Sequence, residues 1–149
     1  MNDKTIAQLT KVLLDVMFYL GILLCVTIPL TFRWLGQYYP NIADHYLVMC
    51  ILFISAGILG IGILRELRRI FATVLAEDCF VWENVSSLKR MAYMGFGISL
   101  ITACRLFFVL TPATIIVIGV FFIAGFGSYV LSQVFRQAVT YKQENDLTI

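Results

Sequence analysis

The sequence predicts an all-α membrane protein: a four-transmembrane-helix bundle with both termini inside (N-in/C-in) and with helices two and four extending into the cytoplasm. Three observations carry this expectation. Of the 149 residues, 60% are hydrophobic and only 13% charged, about half the charged share of an ordinary soluble domain. The apolar residues gather in four runs, 12–30, 46–64, 91–110 and 114–132, each close to the roughly 20 residues a helix needs to cross about 30 Å of hydrocarbon. The runs are continuous rather than alternating, unlike membrane strands, and a helix satisfies its backbone hydrogen bonds within one segment where no water can.

The first run, 12–30, follows Lys4 and Lys11 and is longer than the core of a secretory signal. Thr31-Phe32-Arg33-Trp34 after it lacks the small residues of a cleavage site, so the run is expected to remain as a helix. The connection 31–45 holds Pro40 and is expected to form a small outer cap. In the second run the spacing changes after Leu64 to Leu67, Ile70, Phe71, Val74 and Leu75, with Arg65, Arg68 and Arg69 off that stripe. Such i, i+3, i+4, i+7 spacing predicts an amphipathic extension into a cytoplasmic connection, 65–90.

Ahead of the third run, Asn84 is expected to cap the helix N-terminus; the acceptor pattern Asn84-Val85-Ser86 falls on the inner side, where glycosylation does not apply. Thr111-Pro112-Ala113 is a tight turn, and Pro112 suits the first position of helix four, so helices three and four form an antiparallel hairpin. The tail, 133–149, begins with a second stripe, Val134, Phe135, Ala138 and Val139. The two cytoplasmic extensions are expected to pack together.

Orientation follows from Lys and Arg near the span ends. Lys4, Lys11, Arg65, Arg68, Arg69, Lys89, Arg90, Arg136 and Lys142 fall on one side and Arg33 on the other. Trp34, Tyr38, Tyr39 and Tyr46 supply aromatic anchors at the outer interface, Trp82 and Tyr93 at the inner one. The expected location is a bacterial cytoplasmic (inner) membrane, crossed several times, with both termini cytoplasmic.

Asp15 and Arg105 are the ionisable residues inside the runs, and intramembrane charges default to a functional hypothesis. Their depths differ by roughly 15–20 Å at 1.5 Å per residue, so Asp15 is expected to pair with Lys11, and Arg105 to snorkel outward or reach Asp44. Cys25, Cys50 and Cys104 lie at similar depths in helices one to three, which frames a thiol or metal site as one alternative, against the plainer reading of cysteine as a small buried hydrophobe. His45 is the sole histidine, so no histidine-rich metal site is expected. Ala56, Gly57, Gly60, Gly62, Gly95, Ser99, Ala124 and Ser128 have the small-residue spacing of close helix packing, within the chain or in a homo-oligomer. No catalytic motif or nucleotide fingerprint is present; neither enzyme activity, cofactor nor metal is expected. The net charge of +2 gives no basis for direct nucleic-acid binding.

Two segments carry a family likeness: residues 80–90, Phe-Val-Trp-Glu-Asn-Val-Ser-Ser-Leu-Lys-Arg, and residues 143–149, Gln-Glu-Asn-Asp-Leu-Thr-Ile. They resemble the YoaS-like bacterial membrane proteins, a family of unknown function (domain of unknown function 2975). The family usually has proline before the first phenylalanine, where this sequence has Cys79. The resemblance implies a four-span inner-membrane protein without established activity, often encoded beside a small helix-turn-helix regulator. The leading functional expectation is an interaction or regulatory module whose inner face binds such a cytoplasmic partner through Arg68, Arg69, Phe80, Trp82, Glu83, Asn84, Glu144 and Asp146. A small transporter or channel using Asp15 and Arg105 is the alternative from another class.

Overall fold

The computed structural model describes residues 3–148, with side chains from residue 5. In order, the elements are α1 (Asp3–Leu35), α2 (Pro40–Asp44), α3 (Tyr46–Leu75), α4 (Trp82–Arg105) and α5 (Pro112–Leu147), and no strand occurs among the described residues. Three of these helices, over Thr5–Leu35, Tyr46–Leu75 and Pro112–Leu147, are long and apolar enough to cross a membrane.

Their surfaces explain why. On α1, Leu14 is buried, while Leu13, Val16, Leu20, Leu23, Val26 and Leu30 each expose half their surface or more. Apolar area of that extent, continuous around and along a helix, demands an apolar solvent. α4 differs in kind. It carries Glu83, Lys89 and Arg90 in its first turns and Arg105 at its end, and it is packed between α3 and α5, which bury Asn84, Ser87, Ala92, Gly95, Ile98 and Ser99.

The long helices form a row in the order α1, α3, α4, α5, each packed on the next; among the described residues α1 approaches neither α4 nor α5. Neighbours run antiparallel. Cys25 of α1 lies over Gly57 of α3 and Met94 of α4 over Gly62 of α3, while the Tyr46 hydroxyl donates to the Pro29 carbonyl at 3.0 Å. The tightest approach joins α4 and α5. A Cβ on Gly95 would come within 3.1 Å of the Gly125 Cα, and one on Gly125 within 3.1 Å of the Ala92 carbonyl. The Ser99 hydroxyl donates across the same seam to the Ile118 carbonyl, 3.1 Å. Gly125 makes this contact rather than its neighbour Ala124, which faces outward.

Alternation brings the start of α1 and the end of α5 to one end of the row. Lys11, Arg65, Arg68, Arg69, Lys89, Arg90, Arg136 and Lys142 gather there, and we call it the basic end. With 30 and 36 residues, α3 and α5 measure about 45 and 54 Å, longer than the roughly 30 Å of hydrocarbon. Their surplus length lies at the basic end.

Several expectations change. α4 starts at Trp82 after the extended Val81, so Asn84 is not the cap but part of the first turn. Its helix stops at Arg105, and residues 106–110 form turns and coil. At the far end of that turn Pro112 holds Thr111 extended (φ −129°, ψ 143°) and opens α5. The extensions of α3 and α5 do not meet, because the early turns of α4 lie between them. The segment 65–90 is therefore two helical arms joined by residues 76–81. α3 closes with the Asp78 N–H on the Thr73 carbonyl and the Glu77 N–H on the Val74 carbonyl, a Schellman arrangement that needs a left-handed residue, here Glu77 at φ 60°.

Candidate functional site

At the basic end, polar residues of α3 recur at Glu66 and Thr73, seven apart, and those of α4 at Asn84, Ser87 and Arg90, three apart. These spacings keep each set on one helix face, and the antiparallel register turns the two faces together. Arg90 Nη2 donates to Glu66 Oε2 at 2.8 Å and to Ser87 Oγ at 3.2 Å. Arg69 stands 3.7 Å from Glu66 Oε1. Glu66 is only 7% exposed. Further out, Asn84 Nδ2 donates to Thr73 Oγ1 at 2.6 Å and to the Cys79 carbonyl at 2.8 Å. Asn84 is 1% exposed, and its two bonds make it the lock between α3, α4 and the 76–81 link.

The other side of that link is held by α5. Lys142 Nζ lies 2.7 Å from Asp78 Oδ1, and the Phe80 and Phe135 rings stand 5.5 Å apart. This clasp brings the two family-like segments together. Phe80, Trp82 and Glu83 from one, and Gln143 and Asp146 from the other, share a groove of about 260 Å³ with Lys142. A wider recess of about 660 Å³ adjoins it, lined by Arg69, Trp82, Glu83 and Arg90. Trp82 and Glu83 belong to both. Phe80 and Trp82 are each 44% exposed.

Arg68 and Glu144 lie elsewhere. Glu144 lines a separate polar hollow along α5 with Gln133, Arg136 and Tyr141. Arg68 turns back onto α1, its guanidinium 4.7 Å from the Phe18 ring and its Nε 2.5 Å from Asp15 Oδ1. The oxygen sits off the N–H axis, so the contact is an ion pair rather than an aligned hydrogen bond. Asp15 thus pairs across to α3 and not with Lys11, because the α1–α3 register brings Arg68 opposite. Arg105 neither snorkels freely nor reaches Asp44. Its Nη2 donates to Thr111 Oγ1 at 3.3 Å, and its guanidinium lies 4.9 Å from the Phe53 ring. The turn that ends α4 curls Thr111 back over it.

The cysteines are not brought together. Cys25 rests on Gly57, Cys50 is buried and Cys104 exposed. Among the described residues no three His, Cys, Asp or Glu side chains group as metal ligands. Glu66, Thr73 and Ser87 are the residues sequence reasoning passed over. Their signal is that polar positions on both sides of the link fall at helical spacing, so two polar faces are available to each other rather than to water.

A model of the family described as "Protein of unknown function (DUF2975)" matches residues 30–149. No curated protein and no solved structure matches the chain.

Proposed function

This chain belongs to the DUF2975 family, and we propose that it is a four-span protein of the bacterial cytoplasmic membrane whose inner end docks a cytoplasmic regulatory protein. The fourth crossing is α4. Its uncharged stretch, residues 91–104, is short for a lone span, but it is packed between α3 and α5, which carry it across. Both ends are inside, a reading supported by the basic end and the positive-inside rule.

The observation that carries the docking role is the convergence of the family-like segments on one groove. Half-exposed Phe80 and Trp82 stand beside Glu83 and Asp146. Aromatic anchors in a concave patch with charges around them are what binding hot spots are made of. The buried Asn84 and the clasp to α5 beneath them hold the anchors in position before a partner arrives, which lowers the entropic cost of association. The partner implied by the family resemblance is a small helix-turn-helix regulator.

The test is site-specific photo-crosslinking in cells from position 86, an exposed residue of the adjoining recess that leaves both aromatic anchors in place, with Glu83→Ala and Asp146→Ala as companions. A crosslink to the neighbouring regulator that weakens about tenfold with the double substitution supports the proposal, since tenfold corresponds to 1.4 kcal/mol. Absence of any cytoplasmic adduct, or an adduct indifferent to both changes, removes its basis.

A further inference from the structure

The open side of the helix row holds a second feature. Because α1 and α5 do not meet, a cleft of about 690 Å³ is left between the four long helices, lined by Met17, Cys25, Phe53, Gly60, Thr114 and Phe121 among others. That volume is within the roughly 300–1,000 Å³ of small-molecule sites. Its lining is almost wholly apolar, and its one charged residue is Arg105. Arg105 has no carboxylate within ion-pair distance among the described residues. Of its five N–H donors, one is taken by Thr111.

We infer that this cleft is a binding site for an anionic phospholipid, with one acyl chain lying along α3 and the headgroup phosphate on Arg105. Length supports the assignment. From Phe53 to Leu64, both in the lining, α3 rises about 16 Å, about half of the 30 Å hydrocarbon core and so about the reach of one acyl chain. Charge supports it too: a guanidinium without a counter-ion at one end of an apolar channel is complementary to a phosphate that carries its own apolar chain. A free anion would satisfy Arg105 but leave the rest of the cleft empty. Between α1 and α5 the cleft opens sideways, where the bilayer delivers lipid at high concentration. The inference uses the four-span reading but not the docking groove at the basic end.

Gly60 provides an independent handle. A Cβ there meets nothing within 4 Å, although the residue lines the cleft, so Gly60→Leu puts its side chain into the open space of the channel and leaves Arg105 itself unchanged. The experiment is lipid binding by native mass spectrometry of the full chain in micelles, with phosphatidylglycerol and diacylglycerol of identical chains, which differ by the phosphate headgroup. Wild type should retain phosphatidylglycerol about tenfold better, the size of one charge-assisted interaction. Arg105→Gln should bring the ratio close to one, Arg105→Lys should keep part of it, and Gly60→Leu should lower retention of the anionic lipid with Arg105 intact. Equal retention of both lipids by wild type, or Gly60→Leu binding unchanged, overturns the inference. So does protection of Arg105 by inorganic phosphate alone, or a dimer that forms through the cleft and excludes lipid. A chain that fails to span vesicle bilayers overturns both this and the four-span reading; a spanning chain without lipid preference overturns this alone.

Discussion

Replacing Arg90 by methionine should destabilise the protein more than replacing Glu66 by glutamine, although the two residues form one ion pair. The asymmetry comes from burial: the Glu66 side chain is 9% exposed and that of Arg90 49%. Removing Arg90 strands a carboxylate between α3 and α4, which ordinarily costs about 3–5 kcal/mol. Arg69, 3.7 Å away and itself half exposed, returns at most about 1 kcal/mol. The net loss is therefore roughly 2–5 kcal/mol. Removing the charge of Glu66 leaves an arginine that already reaches water, and a glutamine that can still accept its hydrogen bond, so the loss is about 1–1.5 kcal/mol. In Glu66→Gln/Arg90→Met no buried charge remains, and the double variant should be more stable than Arg90→Met alone. Equilibrium unfolding in bicelles by steric trapping measures all three. Equal losses for the two single variants, or a double variant equal to the sum of the singles, would refute the reasoning.

Other substitutions probe the remaining contacts with the same unfolding assay. Asn84→Ala removes two buried hydrogen bonds and strands the Cys79 carbonyl, and should cost about 2–3 kcal/mol. Gly95→Val drives a side chain into the Gly125 backbone and should cost about 1–3 kcal/mol, whereas Gly60→Ala, with open space at its Cβ, should be neutral or stabilising by up to about 1 kcal/mol. Asp15→Asn should change stability by no more than about 1 kcal/mol, because its pair with Arg68 is about one-third exposed. Lys142→Ala should cost less than about 1 kcal/mol, a loss that shrinks further in high salt.

The long apolar helices α1, α3 and α5 were legible in the sequence because lipid solvation is a local property, whereas the run 91–110 was less so: α4 ends at Arg105 and is not among the helices long and apolar enough to cross a membrane. Pro112 at the start of α5 and the stripe through Ile70 are legible for the same reason, as φ restriction and amphipathic spacing act within a few residues. Pairing is not local. Which residue faces Asp15 depends on the register of α1 on α3, and a basic neighbour one turn away in sequence loses to Arg68, more than fifty residues on. Asn84 suits a cap by residue type, yet a helix beginning at Trp82 moves it inward, where Thr73 and Cys79 hold it. Glu66 sits among Arg65, Arg68 and Arg69 and has the look of a solvated surface acid; only the facing helix reveals it as buried. The groove was half legible. The two family-like segments mark Phe80, Trp82, Glu83 and Asp146, which converge, while Arg68 and Glu144 share their neighbourhood in sequence but not in space.

The most direct measurement on the whole account is single-cysteine labelling of the chain in oriented membrane vesicles. Two variants suffice, one keeping only Cys79 in the 76–81 link and one carrying only Gln37→Cys beside α2. A membrane-impermeant maleimide should modify Cys79 solely from the cytoplasmic side and position 37 solely from the outside. Labelling of both positions from the same side, or the two reactivities reversed, would contradict the orientation on which the docking groove depends.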